Sequence, residues 1–382
     1  MTFDEQAAQD WQAGRNQQAL QRMWTLAARA DADVTIVLQA MYYMYCAGTF
    51  RPAQEIARHA CQRFPNDLTL LLNSGVIELR MEDYAAARAL FERYLSLGGN
   101  EESALDGLAT SCYELGDVGA AGKWGALAIE EKTKRAAGSF PPISLGSPRT
   151  EGSDVIAFSL WGDHPRYLRG ALHNVIRARA VYPGFTCRFI LDSVPPDLVS
   201  ALEGEGAQVQ RDDHDHDPTL LRRLARRFLV ADDPAVRRYL VRDADSLVNA
   251  REAAAVAQWV AEGRPFHVMR DWWTHTDPIL AGMWGGIGGV LPPVEPLLAT
   301  YQPDHLETAH IDQWFLRDCI WPSIRSASTV HDRCYRTEGS RPFPSPMPPG
   351  DDHIGQNEHH ASIEQQAIEL SPFARTVPSL AL

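Results

Sequence analysis

A period of 34 residues runs through the first third of the chain and limits what this part can fold into. Alanine recurs at that interval four times, at Ala19, Ala53, Ala87 and Ala121. A second register holds three glycines and one glutamate, namely Gly14, Gly48, Glu82 and Gly116. Such a period is typical of stacked repeats, because one unit cannot bury its apolar face alone. The sequence therefore predicts an all-α repeat array over residues 1–133.

The best-defined unit of this array runs from Asn73 to Asn100. Its small residues, Gly75 and Ala87, let paired helices approach closely, while Phe91 and Tyr94 fill the space toward the next pair. This pattern resembles tetratricopeptide repeats. The resemblance implies a concave groove, which either binds a peptide or protein partner or serves as a stabilising or homodimerising surface.

The composition changes after the array. Residues 134–153 are rich in proline, glycine and serine and show no periodicity. Segments of this kind connect domains, so we predict a linker and a domain boundary here.

Beyond the linker, apolar runs alternate with amphipathic segments. This alternation predicts an α/β domain over residues 154–356, with a parallel or mixed sheet covered on both faces. Residues 357–382 are expected to be a C-terminal tail. The predicted strands are Asp154–Leu160, Phe185–Leu191, Ala207–Gln210, Arg238–Val241, Phe266–Met269 and Ser326–Val330.

The strand Arg238–Val241 runs out into two acids separated by one residue, Asp243 and Asp245. In an extended chain residues i and i+2 point the same way, so the two carboxylates can face one point. Hard oxygen ligands of this kind suit Mg²⁺ or Mn²⁺, and ligands of open α/β sheets bind at the carboxyl ends of strands. The alternative is a solvated acidic turn.

Four segments of the second half carry a family likeness. They are Arg242-Asp243-Ala244-Asp245-Ser246, Arg251-Glu252, His267-Val268-Met269-Arg270-Asp271 and Gly282-Met283-Trp284-Gly285. Through them the chain from about residue 154 to 356 resembles bacterial glycosyltransferases of the GT-A type. The resemblance implies a Rossmann-like GT-A domain with a mixed sheet. It also implies metal-dependent transfer from a nucleotide-sugar donor, with a UDP-sugar favoured, to a glycan or protein acceptor recruited by the repeats.

The same resemblance implies a ligand set for Mn²⁺ or Mg²⁺ at the donor diphosphate. Asp245 would be the direct ligand, and Asp243 would bind through water or the ribose. A late histidine is the expected third ligand, His331 in the first place and His353 in the second. Such a cation neutralises the charge that builds up on a leaving diphosphate.

Further roles follow from the resemblance alone. Asp312 and Gln313 look like the pair that orients the donor sugar in some retaining glycosyltransferases, although Asp312 also suits a helix N-terminus. With Asp271 they form the expected catalytic set. Arg242 and Arg270 are expected phosphate ligands unless they pair with Asp243 or Asp271. The expected donor-binding residues are Ser159, Trp161, Tyr167, Arg227, Arg242, Asp243 and Arg270.

Composition excludes some classes of function. A net charge of −13 argues against nucleic acid as a partner. The six cysteines are scattered, which suits a reducing cytoplasm, and no apolar run approaches the ~18 residues of a membrane span. The segment 214–217 could bind a metal but is better explained as an acidic loop. The alternative function is a tetratricopeptide scaffold or adaptor with a degenerate, non-catalytic nucleotide-sugar domain.

Overall fold

The computed structural model describes residues 3–211, 219–303, 308–346 and 352–356. The chain divides into two compact units, Met1–Ala128 and Ile129–Leu382. The acidic segment 214–217 and the tail 357–382 lie outside the described residues. No helix in the described ranges is long and apolar enough to cross a bilayer.

The first unit is built from pairs of helices that follow the predicted period. The second helix of each pair begins at Asn16, Phe50, Tyr84 and Val118, which are 34 residues apart. All four alanines of the repeat are fully buried. The repeat prediction is therefore confirmed. The helices are α1 (Glu5–Gln12), α2 (Asn16–Ala27), α3 (Val34–Cys46), α4 (Phe50–Arg63), α5 (Leu68–Arg80), α6 (Tyr84–Ser96), α7 (Glu102–Glu114) and α8 (Val118–Ala136).

The second register of the period marks the turn inside each helix pair. Gly14, Gly48 and Gly116 all have a positive φ, and Glu82 adopts the same left-handed backbone at 59°. Glycine is the usual residue there because it has no Cβ to clash. The glutamate in this slot keeps the turn of the other units at a cost in backbone strain.

The ring of Phe91 in α6 packs against both α5 and α7. A methyl group at Gly75 of α5 would lie 2.5 Å from the Phe91 ring, and one at Gly107 of α7 would lie closer still. Only glycine leaves room for the ring on both sides. The aromatic side chain therefore fills the space between one helix pair and the next, as the small and large residues of the repeat predict.

The second unit holds a mixed sheet of seven strands within the described residues, in the order β3-β2-β1-β4-β6-β5-β7. Neighbouring strands run parallel except at β6, which is antiparallel to both β4 and β5. The predicted fold class, a repeat array followed by an α/β domain with a mixed sheet, is thus confirmed. The strands are β1 (Ser153–Trp161), β2 (Phe185–Asp192), β3 (Gln208–Arg211), β4 (Val236–Val241), β5 (Phe266–Arg270), β6 (Trp284–Ile287) and β7 (Ser328–Asp332).

Helices cover both faces of this sheet. One apolar core contains Leu168 and Trp259, and the other contains Phe228, Phe315 and Ile324. A continuous helical stretch over 220–231 passes from α to 3₁₀ geometry, and one over 311–327 has a π turn in its middle. The α-helices are α9 (Pro165–Val181), α10 (Pro196–Gly204), α11 (Leu220–Ala225), α12 (Ala250–Glu262), α13 (Val294–Thr300), α14 (Ile311–Phe315) and α15 (Trp321–Ile324).

The predicted linker 134–153 is largely part of the second unit. The Ile143 amide donates to Ser323 Oγ at 2.9 Å, and the Gly146 amide donates to the Val290 carbonyl at 2.7 Å. These two hydrogen bonds attach the extended stretch to the rest of the second unit. The division between the two compact units accordingly falls before this stretch, within α8.

Candidate functional site

The two acids of the predicted turn lie where the sequence places them, directly after β4. Because β4 runs parallel to β1, the turn sits beside the end of β1 at the carboxyl edge of the sheet. Asp245 is only 6% exposed, whereas the Asp243 side chain is 43% exposed. One acid of the pair is therefore held in the protein and the other faces outward.

Helix α9 holds this turn through three residues on successive turns of one face. Arg166 binds the Asp245 carboxylate through Nη2. A methyl group at Gly170 would lie 2.1 Å from the Ala244 carbonyl oxygen, so the helix backbone approaches the turn closely. Residues i, i+4 and i+8 of a helix share a face, which brings Asn174 to the same turn.

Asn174 makes the fixed connection between α9 and the turn. Its side-chain amide donates to the carbonyls of Ala244 at 3.2 Å and Ser246 at 3.0 Å. Its Oδ1 accepts from the Val248 amide at 2.9 Å. Since Asn174 is completely buried, these bonds satisfy three backbone groups where water has no access. The sequence prediction did not include Asn174 or Arg166, although a polar residue on the buried face of α9 was a visible signal.

Arg227 connects Asp243 to a second acid. Its Nη1 lies 2.6 Å from Asp243 Oδ1, and its Nη2 lies 2.9 Å from Asp312 Oδ2. Its backbone amide donates to Ser159 Oγ at 3.0 Å, so Ser159 acts on the site through this arginine. The structure thus brings together four residues that the sequence predicted separately.

The charges of these acids are not fully balanced. Burial raises the pKa of Asp312 to about 6; the Arg227 guanidinium acts against this rise, and the nearby Asp243 carboxylate adds to it. Burial and the neighbouring Asp243 also raise the pKa of Asp245, against the effect of Arg166. The site therefore concentrates negative charge in a partly dehydrated place, which favours binding of a cation.

Two predicted aromatic residues lie at the same edge. Tyr167 is partly exposed, and the Arg166 guanidinium carbon lies 5.2 Å from the centre of its ring. Burial and the charge of Asp245 raise the pKa of Tyr167. Trp161 is the last residue of β1 and is half-buried. Both rings are accessible at the mouth of the site.

Two predicted phosphate ligands lie elsewhere. Arg242 is buried and donates to Glu252 and to the Trp284 carbonyl, both at 3.1 Å. Arg270 is also buried, and its guanidinium lies 3.1 Å from Asp332. These guanidinium groups bind protein acceptors, so their placement argues against the predicted role in donor binding. The structure pairs Arg242 with Glu252 and Arg270 with Asp332, in place of the alternative partners Asp243 and Asp271.

His331, the predicted third metal ligand, has both ring nitrogens engaged. A hydrogen bond of 2.8 Å joins its Nδ1 to His267 Nε2, and one of 3.1 Å joins its Nε2 to Gln258 Oε1. Burial lowers the pKa of His331 to about 4. It lies on β7, three strands from β4, and three strand spacings are roughly 14 Å. This position argues against ligation together with Asp245.

His353, the second candidate for the third metal ligand, lies in the segment that contacts Asp271. Its ring stacks on Trp272 with centroids 4.3 Å apart. The next residue, Ile354, donates its amide to Asp271 Oδ2 at 2.8 Å. Asp271 is completely buried and also binds Arg251, an enclosure that argues against its predicted catalytic role.

Gln313 is half-buried and has hydrogen-bond partners for both its side chain and its backbone amide. Its side-chain amide donates to Asp277 Oδ2 at 2.6 Å, while Lys132 Nζ lies 3.4 Å from Asp277 Oδ1. Its backbone amide donates to Asp312 Oδ1 at 2.9 Å. A chain of polar contacts thus runs from Lys132 through Gln313 to Asp312 and on to Arg227. Neither Lys132 nor Asp277 was expected from the sequence.

Within the described parts of the chain, no three His, Cys, Asp or Glu side chains form a group that could hold a metal ion. At this edge of the sheet the turn after β4 supplies two carboxylates, those of Asp243 and Asp245. Mg²⁺ and Mn²⁺ sites of enzymes often use one or two carboxylates and complete the shell with substrate phosphates and water.

Comparison with known proteins finds distant structural likenesses, and two of these solved structures are described below. No family model and no curated protein matches the chain. A mutant O-GlcNAc transferase from Thermobaculum terrenum is 15% identical with a TM-score of 0.37, over 63% of this chain and 47% of that one. This chain thus spans about half of that protein. A mannosyltransferase from Pyrobaculum calidifontis, in complex with GDP-Man and Mn²⁺, is 11% identical with a TM-score of 0.32, over 62% and 67%. Similarity at this level shows neither a shared family nor a shared activity.

Proposed function

We propose that the second unit is a nucleotide-sugar-dependent glycosyltransferase of the GT-A type, with a UDP-sugar as the favoured donor. The observation that carries the proposal is the arrangement of Asp243, Asp245 and Asp312 around Arg227 and Arg166 at the carboxyl edge of the sheet. Open α/β sheets bind their ligands at this edge. The sequence likeness of the segment 242–246 to these enzymes agrees with that location.

The residues fit Mn²⁺ or Mg²⁺ as cofactor. Asp245 and Asp243 supply hard oxygen ligands. Burial, and after it the neighbouring Asp243 carboxylate, raises the pKa of Asp245, and a bound cation would stabilise its charged form. When bound, the cation would neutralise the charge on the leaving diphosphate, an effect that can be worth several kcal/mol.

The remaining residues of the site have positioning roles in this proposal. Arg227 holds Asp243 and Asp312 in one arrangement, so the proposed metal-binding turn and the proposed donor-orienting acid Asp312 are fixed together. Gln313 is oriented by Asp277 and stays beside Asp312. Tyr167 offers a partly exposed aromatic face for the base of the nucleotide, a contact that tolerates different bases.

The repeat array is proposed to recruit the acceptor, a glycan or protein, in its groove. Homodimerisation through the same surface is the alternative. Transfer to the acceptor is the activity that depends on the array, whereas donor binding and donor hydrolysis depend on the second unit.

A panel of nucleotide-sugars with and without Mn²⁺ tests the proposal through thermal stabilisation. A ligand present at about a hundred times its Kd stabilises the folded protein by about 2.7 kcal/mol, which raises the melting temperature measurably. Asp245→Asn should abolish the Mn²⁺-dependent shift and leave the ligand-free melting temperature close to that of the wild type. Asp197→Asn, which changes an acid at the start of α10 outside the site, is the matched control.

Two results would decide against the enzyme. Full turnover by Asp245→Asn would remove the metal-binding assignment. The absence of a shift with every nucleotide-sugar, with peptide binding by the array retained, would favour the scaffold instead.

A further inference from the structure

Each acid of the metal-binding turn is bound by an arginine from a different element. Arg166, in the first turn of α9, binds Asp245, and Arg227, in the 3₁₀ segment after α11, binds Asp243. The two guanidinium groups bind the same carboxylates that a divalent cation would need. A cation and these arginines therefore compete for one set of oxygens.

The two arginines differ in how easily a cation could displace them from the acids. Arg227 is 5% exposed and holds Asp312 with its second terminal nitrogen, so it keeps a partner when Asp243 is taken. Arg166 is 28% exposed, and Asp245 is the one ion-pair partner that the structure gives it. Its Nε is buried with no hydrogen-bond partner among the described residues. Arg166 is therefore the residue that a cation at Asp245 would displace, and it has unused donors.

We propose that Arg166 is an exchangeable counter-ion: it neutralises Asp245 until a divalent cation binds there, and then moves to the diphosphate of the donor. The inference rests on the proposed function, since it uses the same turn and the same donor. Its consequence is positive cooperativity, because the displaced guanidinium needs a new anion and the diphosphate supplies one. Cation and nucleoside diphosphate should each bind more tightly when the other is present.

The chemistry of Arg166 supports this role. A guanidinium is always charged at neutral pH and fits both carboxylate and phosphate with two parallel hydrogen bonds. The rim position next to Tyr167 places the group beside the proposed base-binding face. An arginine that moves between these two anions pairs with Asp245 before the cation binds and with the diphosphate afterwards, and it suppresses adventitious cation binding without donor.

Calorimetric titration of the full-length protein tests the inference with Mn²⁺, UDP and GDP as probes. Each ligand is titrated alone and in the presence of the other. The wild type should bind Mn²⁺ about tenfold more tightly with the nucleoside diphosphate than without it, within the usual range of coupling between sites. Arg166→Gln should bind Mn²⁺ alone more tightly than the wild type, by about five- to tenfold, and should bind the diphosphate more weakly. In this variant the cooperativity between Mn²⁺ and the nucleoside diphosphate should largely disappear.

Two further variants complete the design. Arg179→Gln removes an arginine from the last turn of the same helix, where it pairs with Glu205, and should behave as the wild type. Arg166→Lys keeps the charge but loses the planar fork, so it should still suppress binding of Mn²⁺ alone while binding the diphosphate less well. These opposite changes in two affinities separate the proposed role from general damage to the fold.

The outcomes distinguish the inference from the function on which it rests. If the wild type shows Mn²⁺-dependent diphosphate binding and Arg166→Gln matches Arg179→Gln, the counter-ion role is overturned and the proposed function stands. Weaker binding of Mn²⁺ alone by Arg166→Gln also overturns it. If no variant and no wild-type sample binds Mn²⁺ with either diphosphate, the proposed metal-dependent function itself fails.

Discussion

Replacing Gly170 with alanine would place a methyl carbon 2.1 Å from the Ala244 carbonyl oxygen. Real contacts of this kind essentially never fall below 3.0 Å, so α9 or the turn must move by about 0.9 Å, the difference between these two distances. Two effects on stability oppose each other. Alanine is favoured over glycine in a helix by about 1 kcal/mol, whereas overpacking costs about 1–3 kcal/mol.

The second effect should win at this position, because the obstacle is backbone rather than the flexible end of a side chain. We expect Gly170→Ala to lower the free energy of unfolding by up to about 2 kcal/mol, the overpacking cost less the helix-propensity gain. The displacement also stretches the Asn174 bonds to Ala244 and Ser246, which moves the Asp245 carboxylate. Since misplacement by about 1 Å can cost about a hundredfold in an enzyme site, Mn²⁺-dependent diphosphate binding should weaken at least about tenfold.

Urea unfolding and calorimetry measure the two consequences. Gly204→Ala is the matched control, because Gly204 ends α10 in the same unit and has nothing within 4 Å of the added methyl. It should be neutral or stabilised by up to about 1 kcal/mol, with normal diphosphate binding. If Gly170→Ala behaves like Gly204→Ala in both measurements, close packing of α9 does not position the turn and the account of the site is refuted.

Three other predictions follow from the same contacts. Asn174→Leu removes the partners of three buried backbone groups and should cost roughly 3 kcal/mol of unfolding free energy in urea titrations, and an unchanged urea midpoint would contradict this. Because burial raises the pKa of Asp312 to about 6 from an ordinary 3.8, the folded state binds its proton more tightly. Stability should therefore fall by up to about 3 kcal/mol as pH rises from about 4 to about 6, and Asp312→Asn should flatten that part of the profile measured by urea midpoints. A chain starting at Ile129 should have a higher urea midpoint than one starting at Ser147, because only the longer chain keeps the contact of Lys132 with Asp277 and the stretch that follows it. Equal midpoints would mean that this stretch is a passive linker.

Local patterns predicted most of the fold. Helix α9 begins at Pro165 and ends at Val181, as expected from a proline at its first position and an amphipathic pattern. Strand β6 was missed, because Gly285 and Gly286 have low strand propensity. Its place between β4 and β5 depends on tertiary packing: a methyl group at Gly286 would lie 2.5 Å from the Tyr239 hydroxyl.

The site was predicted where its residues are close in sequence and missed where they are distant. Asp243 and Asp245 follow one strand, and the alternation of side chains along an extended chain was enough to predict that they lie together. Arg166 reaches Asp245 from 79 positions earlier, which no local pattern encodes. His331 was misplaced for a related reason. Sequence shows that a histidine follows a late strand, but it does not show that two other strands separate β7 from β4.

The ring of Phe91 has a consequence for how the repeat array melts. In a linear stack, stability is approximately the sum of a term for each unit and a coupling term for each junction, so such stacks can fray from their ends. Here one aromatic ring fills the space left by Gly75 and Gly107, and the junction between two units depends largely on it. The helices on either side of Phe91 should therefore enter and leave the folded state as one cooperative block, while the helix pairs outside that block remain free to fray.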